Sequence, residues 1–276
     1  MATRQTKILE TVVKYGQVEV STLAEVLDVS KVTIRKDLDE LEGRGLVRRE
    51  RGLAVLVSPD DPAGRIAYHY ADKLRIARAA ATTIADGEVV MIEAGSCCAL
   101  LAEEIARTKR GATIVTNSAF IAERVSKAPF AHTVLLGGDY QSDSQVLVGP
   151  MVQLCATQFA VDKLFIGTDG FTPRLGFTGR DYLRAAAVHA LAARAEQVVI
   201  LTESEKFGSH GPVPLLEATR VSTVWTDAAI ASGHRSDLQA AGVTVNTVDT
   251  QGSVVRHSGS THMSTPAALR HSDSQE

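Results

Sequence analysis

The sequence predicts two joined folds: an N-terminal all-α module closed by a small β wing, and a C-terminal α/β domain on a mostly parallel sheet. Three observations lead there. Short, closely spaced helical patterns fill residues 3 to about 50 and end in an arginine-bearing two-strand pattern. From about residue 71 to 249, short β-branched runs alternate with helix-length segments, the pattern of βαβ units. Between them, Gly52, the run Ser58-Pro59-Asp60-Asp61-Pro62 and Gly64 read as a linker. The expected division is 1–57, a linker at 58–70, 71–250, and a tail at 251–276. That tail is rich in Ser, His, Thr and Gly, lacks apolar periodicity and is expected to be disordered.

Bulk properties narrow the function classes. The chain has 276 residues, 45% hydrophobic and 22% charged, the balance of a soluble globular protein. Basic and acidic residues number 29 and 32, so total charge gives no argument for nucleic acid; only local placement can. No run reaches the ~18 uncharged apolar residues of a membrane span. The start, Met1 to Lys7, lacks a signal peptide's apolar core. Three cysteines, with Cys97 and Cys98 adjacent, make neither a disulfide framework nor a zinc site. A reduced, cytoplasmic protein without metal or cofactor is expected.

The first helix is predicted over about 3–15, with Ile8, Leu9, Val12 and Val13 on one face and Gly16 ending it. Ser21 is a good N-cap for the second helix, whose stripe is Leu23, Ala24 and Leu27. Asp28-Val29 turns the chain and Ser30 caps the third helix. There Ile34, Leu38 and Leu41 recur at i, i+4 and i+7 and face inward. Lys31, Thr33, Arg35 and Lys36 are left outside, in its first two turns. A recognition helix enters the major groove with its N-terminal residues against base edges. Basic and short polar side chains suit that place. Residues 46–52 and 53–57 then form a wing in which Arg48, Arg49 and Arg51 could grip phosphates or the minor groove. The rival reading is a small bundle for protein contacts with a solvated charged face.

These residues resemble the DeoR/GlpR family of bacterial transcription regulators. The resemblance lies in Lys7-Ile8-Leu9-Glu10, residues 18–27, and Val29-Ser30-Lys31-Val32-Thr33-Ile34-Arg35-Lys36-Asp37-Leu38. It implies DNA contacts from Ser30, Lys31, Thr33, Arg35 and Lys36. Where the family often ends its wing in His-Gly-Gly-Ala, this chain has Arg51-Gly52-Leu53-Ala54.

In the second domain the predicted strands are 89–93, 113–116, 133–136, 163–166, 198–201, 221–225 and 243–248. Helical patterns between them include 99–106, 121–128 and 182–195. Glu93-Ala94-Gly95-Ser96-Cys97-Cys98 follows a strand and opens a helix, where free N–H groups and the helix dipole suit a phosphate. By itself, such a turn is more often only a cap. Further polar or glycine-bearing turns are Thr116-Asn117-Ser118, Gly137-Gly138, Gly167-Thr168-Asp169-Gly170, the Gly179-Arg180-Asp181 turn and Glu203-Ser204-Glu205-Lys206. Ligands of open α/β sheets bind outside the carboxyl ends of strands, so these turns are candidates for one shared pocket. Arg180 and Lys206 are its natural counter-charges for an anion; Lys206 taken alone reads as a solvated loop lysine.

The family resemblance continues through Thr116-Asn117-Ser118, Gly137-Gly138, Val148-Gly149-Pro150, Asp162 to Gly170 and Ser204-Glu205-Lys206-Phe207. It implies a sensor domain similar to the ribose-5-phosphate isomerase group and a phosphorylated sugar or related metabolite as effector. Glu93 stands where the family commonly has Asp, and Cys97-Cys98 where it has two threonines, so two hydroxyl donors are replaced by weak thiol donors.

The expected function is an operator-binding repressor of a carbohydrate-metabolism operon, not an enzyme, acting as a homodimer or homotetramer on double-stranded DNA. Two rivals are weighed beside it. One is a sugar-phosphate isomerase with an appended DNA-binding domain, in which Asp169 with Glu93 or Lys206 supplies acid–base groups. The other is a redox sensor at Cys97 and Cys98, disfavoured because a disulfide between neighbours distorts the peptide.

Overall fold

In the computed structural model, residues 4–43, 47–56 and 60–258 are described. The predicted helix start at Thr3, the wing ends Leu46 and Val57, Ser58 and Pro59 of the linker, and the tail from residue 259 lie outside them.

The N-terminal module comprises α1 (Arg4–Tyr15), β1 (Gln17–Glu19), α2 (Val20–Val26), α3 (Lys31–Gly43), β2 (Val47–Glu50) and β3 (Leu53–Leu56). Its core holds most of the predicted apolar set: Ile8, Leu9, Val12, Leu23, Ala24, Ile34, Leu38 and Leu41 are buried together, Val13 and Leu27 are only partly buried, and Val18, Val20, Val47, Ala54 and Ala67 join them. Ser30 caps α3, its Oγ accepting the Thr33 N–H at 3.1 Å. Ser21 does not cap α2. The segment just before it pairs as β1 with β3, so the helix begins at Val20 behind Glu19, and the Ser21 hydroxyl donates to the Glu19 carboxylate at 2.8 Å. The sheet order is β1-β3-β2, so the wing has three strands where two were expected. Arg51 and Gly52 join β2 to β3 with φ of 48° and 88°. Two successive left-handed residues between paired Glu50 and Leu53 are the twist-matched two-residue hairpin turn.

The stretch predicted as a linker is largely helical. α4 (Pro62–Ala67) is capped by Asp61, whose carboxylate accepts the Gly64 N–H at 2.7 Å. It lies against the N-terminal module: a Cβ added at Gly64 would meet Leu56 and Val13 side chains at 3.6 and 3.9 Å. Proline at the first helical position and a preceding aspartate are helix-start signals that the Pro/Gly content of this stretch obscured.

The second domain continues with α5 (Tyr70–Ala81), β4 (Val89–Ile92), α6 (Ser96–Thr108), β5 (Thr113–Thr116), α7 (Ala119–Val125) and β6 (His132–Leu135). A hairpin of β7 (Asp139–Gln141) and β8 (Val146–Val148) leads to α8 (Pro150–Ala156) and β9 (Val161–Ile166). Then come β10 (Gly170–Thr172), β11 (Gly176–Gly179), α9 (Tyr182–Ala192), β12 (Ala195–Leu201), β13 (Val213–Leu216), β14 (Thr223–Asp227), α10 (Ser232–Ala240), β15 (Thr244–Val248) and β16 (Val254–His257). The seven predicted strands all exist, with ends shifted by up to three residues. They form an eight-stranded sheet with β16, ordered β16-β15-β14-β12-β9-β4-β5-β6, parallel except at β16. The beginning of the predicted tail is therefore an edge strand, since Val254 and Val255 pair with Val248 and Thr247. One apolar layer, with α5, α6 and α7, covers one face; α8, α9 and α10 cover the other. Strand order reverses at β4, whose neighbours are β5 on one side and β9 on the other. That crevice is the topological switch point, where such sheets bind ligands.

Candidate functional site

Two surfaces gather the predicted residues. On α3, Lys31, Arg35 and Lys36 are exposed and share one end of the helix. Sequence reasoning missed Val32, which stands 73% exposed among them. An apolar side chain there can meet a thymine methyl group in the major groove. Ser30 and Thr33 hydroxyls lie 2.8 Å apart and bond to each other, so they hold the helix start as well as facing outward. The acids that offset the basic residues are turned to structural use. Asp37 is buried under the Arg4 guanidinium, and Glu40 accepts from Gln5. Arg49 does not extend freely. It binds Glu42 at 3.0 Å and Asp39 at 2.6 Å, anchoring the wing to α3 and holding the Glu42 carboxyl below its ordinary range. Arg48 pairs with Glu50 on the exposed wing, and Arg51 occupies the tip.

The second surface is a cleft of about 340 Å³ at the switch point. The turns after β4 and β9 form its floor. They pass backbone against backbone: a Cβ at Gly95 would sit 2.9 Å from the Gly167 Cα, so each side needs glycine. Gly95 and Ser96 open α6 at this floor, and no side chain caps that helix. Its first N–H groups therefore have no capping partner from a side chain, and they carry the positive end of the helix dipole. Thr168, Asp169, Arg180, Glu203 and Lys206 complete the wall on the sensor side.

Of the predicted ligand-binding residues, the structure brings together Glu93, Gly95, Ser96, Asp169, Arg180 and Lys206. It places the others elsewhere. Cys97 and Cys98 lie in the first turn of α6 and are buried, Cys97 with its sulfur 3.9 Å from the Glu203 carboxylate under the cleft wall, and that burial pushes both thiols well up. Thiol chemistry needs an accessible thiolate, and neither cysteine offers one, which removes the physical basis of the redox reading. Thr116, Asn117 and Ser118 are buried at the end of β5: Asn117 donates to the Leu147 carbonyl, and Ser118 caps α7. Gly137 and Gly138 pack near Cys155, Val148 and Val152. Gly170 lies against the backbone of Ser209 and His210. These turns share motif spacing with the cleft residues without sharing the cleft.

Arg65 of α4 was missed because its segment read as a linker, yet it lines both the main cleft and its inner end. At that end Glu93 is buried, which raises its carboxyl above the ordinary range, with Arg65 and Arg184 opposing the shift. Apart from Asp169, the acids of the main cleft are already engaged. Asp60 binds Arg184 at 3.3 Å, Glu203 binds Lys73 at 2.9 Å, and Glu205 accepts the Tyr68 hydroxyl at 3.0 Å. Lys14, Arg65, Arg180 and Lys206 make no ion pair with a carboxylate of the described residues. Four unpaired cations around uncapped helix N–H groups suit an anionic ligand. Among the described residues no cluster of three His, Cys, Asp or Glu side chains could hold a metal ion, and no helix is long and apolar enough to cross a membrane.

Two family models match the chain. Residues 4–60 match the model of the DeoR-like helix-turn-helix domain, and residues 68–228 that of the DeoR C terminal sensor domain. The transcriptional regulator GolR of Listeria innocua is 28% identical over 88% of this chain and 96% of its own. The regulator GlpR of Haloferax volcanii is 30% identical over the same shares. The glycerol-3-phosphate regulon repressor of Escherichia coli is 28% identical over 82% and 90%. Among solved structures, a D-ribose-5-phosphate isomerase in complex with phospho-erythronic acid matches with TM-score 0.37 at 16% identity, over 49% of this chain and 52% of that one.

Proposed function

The chain belongs to the DeoR family of transcriptional regulators, and on that premise we propose that it represses a carbohydrate-metabolism operon under control of a phosphorylated sugar or related metabolite. The observation that carries this reading is the cleft at the switch point, where Arg65, Arg180 and Lys206 surround the opening of α6 and form no ion pair with a carboxylate of the described residues. Phosphate is an anion that such N–H groups and cations hold well. The relatives' names support the class of regulated gene, since one is a repressor of a glycerol-3-phosphate regulon.

In this reading Lys31, Val32, Arg35 and Lys36 meet base edges and phosphates in the major groove, while Arg48 and Arg51 of the wing touch the backbone. One such module covers a short half-site, so the working unit is a homodimer or homotetramer on double-stranded DNA. The cleft serves to bind and not to catalyse. Isomerisation of aldose and ketose phosphates that vanished in Asp169→Asn would overturn that statement.

Thermal shift of the full chain against sugar phosphates tests the sensor. A ligand at a hundred times its Kd should add about 2.7 kcal/mol of stability, and Arg180→Gln should abolish the shift. Unshifted melting with every sugar phosphate would refute the effector class. Arg35→Ala and Lys36→Ala test the reading helix. Each should weaken binding to the DNA upstream of the regulator's own operon by about 1–3 kcal/mol, as measured by anisotropy, with an unchanged circular dichroism spectrum. Wild-type affinity in both would refute the assignment.

A further inference from the structure

The cleft has walls from both modules. Val13 and Lys14 come from the last turn of α1, Leu56 from the wing strand β3, and Arg65 from the helix between modules. This arrangement follows from α4. Its Gly64 backbone rests on Leu56 and Val13, and the next residue, Arg65, faces the cleft. The sensor grips the following turn. Glu205 accepts the Tyr68 hydroxyl and lies 3.6 Å from His69, which is held at φ 51°. Buried Lys73 donates to the Arg65 and Tyr68 carbonyls and to Glu203. Thus the loop that carries Lys206 also holds the chain that carries the DNA-binding module.

Lys14 is the cation that the DNA-binding module brings to this cleft. Its ammonium lies 5.3 Å from the Tyr15 ring centroid and makes no ion pair with a carboxylate of the described residues. It stands at the far end of the module's first helix from Arg4, whose guanidinium is tied to Asp37 of the reading helix.

We propose that the effector is a bridging ligand: Lys14 of the DNA-binding module binds the same anionic molecule that Arg180 and Lys206 hold from the sensor. The inference rests on the reading of the cleft as the effector site and goes beyond it by making the output module part of the input site. A ligand that touches both modules has differential affinity for their relative positions, which is the physical requirement for a switch. The control signal then passes by direct contact through α1, which also packs against α3 and positions it.

Calorimetry of the full chain decides the matter, with glycerol 3-phosphate, ribose 5-phosphate and fructose 6-phosphate as probes and inorganic phosphate as a charge-only control. With the probe that binds, Arg180→Gln should abolish binding, and Lys14→Ala should weaken it roughly five- to tenfold, the loss expected of one charge-assisted contact at a partly open site. Lys14→Arg should recover most of that loss. Hydrogen exchange at residues 11–16 should slow when the probe is added, an effect that a sensor-only ligand would not produce. Binding abolished by Arg180→Gln but unaltered by Lys14→Ala, without protection at the end of α1, overturns the bridging inference and leaves the effector site standing. No binding of any probe, or binding that survives Arg180→Gln, overturns the effector site and the inference together.

Discussion

At the scale of the residue, Glu93 makes the clearest demand on pH. Burial at the end of β4 holds its carboxyl above the ordinary glutamate value of 4.5, and Arg65 and Arg184 only partly oppose this. A carboxyl whose pKa is raised by folding favours the fold while protonated. Its contribution is complete below the ordinary range and is lost as pH rises through the raised value. Glu93→Gln resembles the protonated form at every pH. Its melting temperature should therefore gain on the wild type as pH climbs from about 4.5 and then level off. A gap that stayed constant, or narrowed with rising pH, would contradict the burial argument. Residues of this kind were only partly legible in the sequence. The gathering of Gly95, Asp169, Arg180 and Lys206 at one cleft was legible because turns at strand ends carry polar residues. Arg65 could not be found that way, because its place in the cleft comes from a helix seated on another module. Cys97 and Cys98 erred in the other direction: two positions beyond the loop, the helix turns its side chains into the core.

At the scale of the element, the joint between α4 and α5 governs how the two modules meet. Lys73 and Glu203 are paired at 3% and 6% side-chain exposure. Removing one member strands the other charge in the interior, so Lys73→Met should cost about 3–5 kcal/mol in denaturant unfolding. The double variant Lys73→Met, Glu203→Leu should recover much of that loss, since an apolar pair of similar volume often replaces a buried ion pair at little cost. A Lys73→Met chain as stable as wild type would show the pair to be dispensable. The periodic elements were the legible ones. Strands β5, β9 and β12 and the three helices of the reading module announced themselves through apolar spacing that burial requires. The short strands β1, β10, β11 and β13 did not. Three or four residues give too little alternation to distinguish them from loops, and their pairing is set by distant partners.

At the scale of the whole molecule, the proposed effector and operator would act on one equilibrium. Whatever factor a saturating sugar phosphate takes from DNA affinity, DNA must take from sugar-phosphate affinity, typically 5- to 150-fold for coupled sites. Anisotropy titrations of operator DNA with and without the sugar phosphate, matched by calorimetry of the sugar phosphate with and without DNA, should return the same factor. Unequal factors would mean that a further equilibrium, such as a change of oligomeric state, intervenes.

The order of strands in the large sheet bears on how the protein comes into being. Its central strand β4 lies beside β9, more than seventy residues later in the chain, and β16 is added last at the edge. The reading module's core draws on residues 8–54 and on Ala67 of α4, all within the first 67 residues. During synthesis the head can therefore fold on the ribosome long before the sheet has a middle. A nascent chain stopped short of residue 166 holds the whole α3 reading surface and lacks Asp169, Arg180 and Lys206. Such a fragment would carry a complete reading helix with no cleft to govern it.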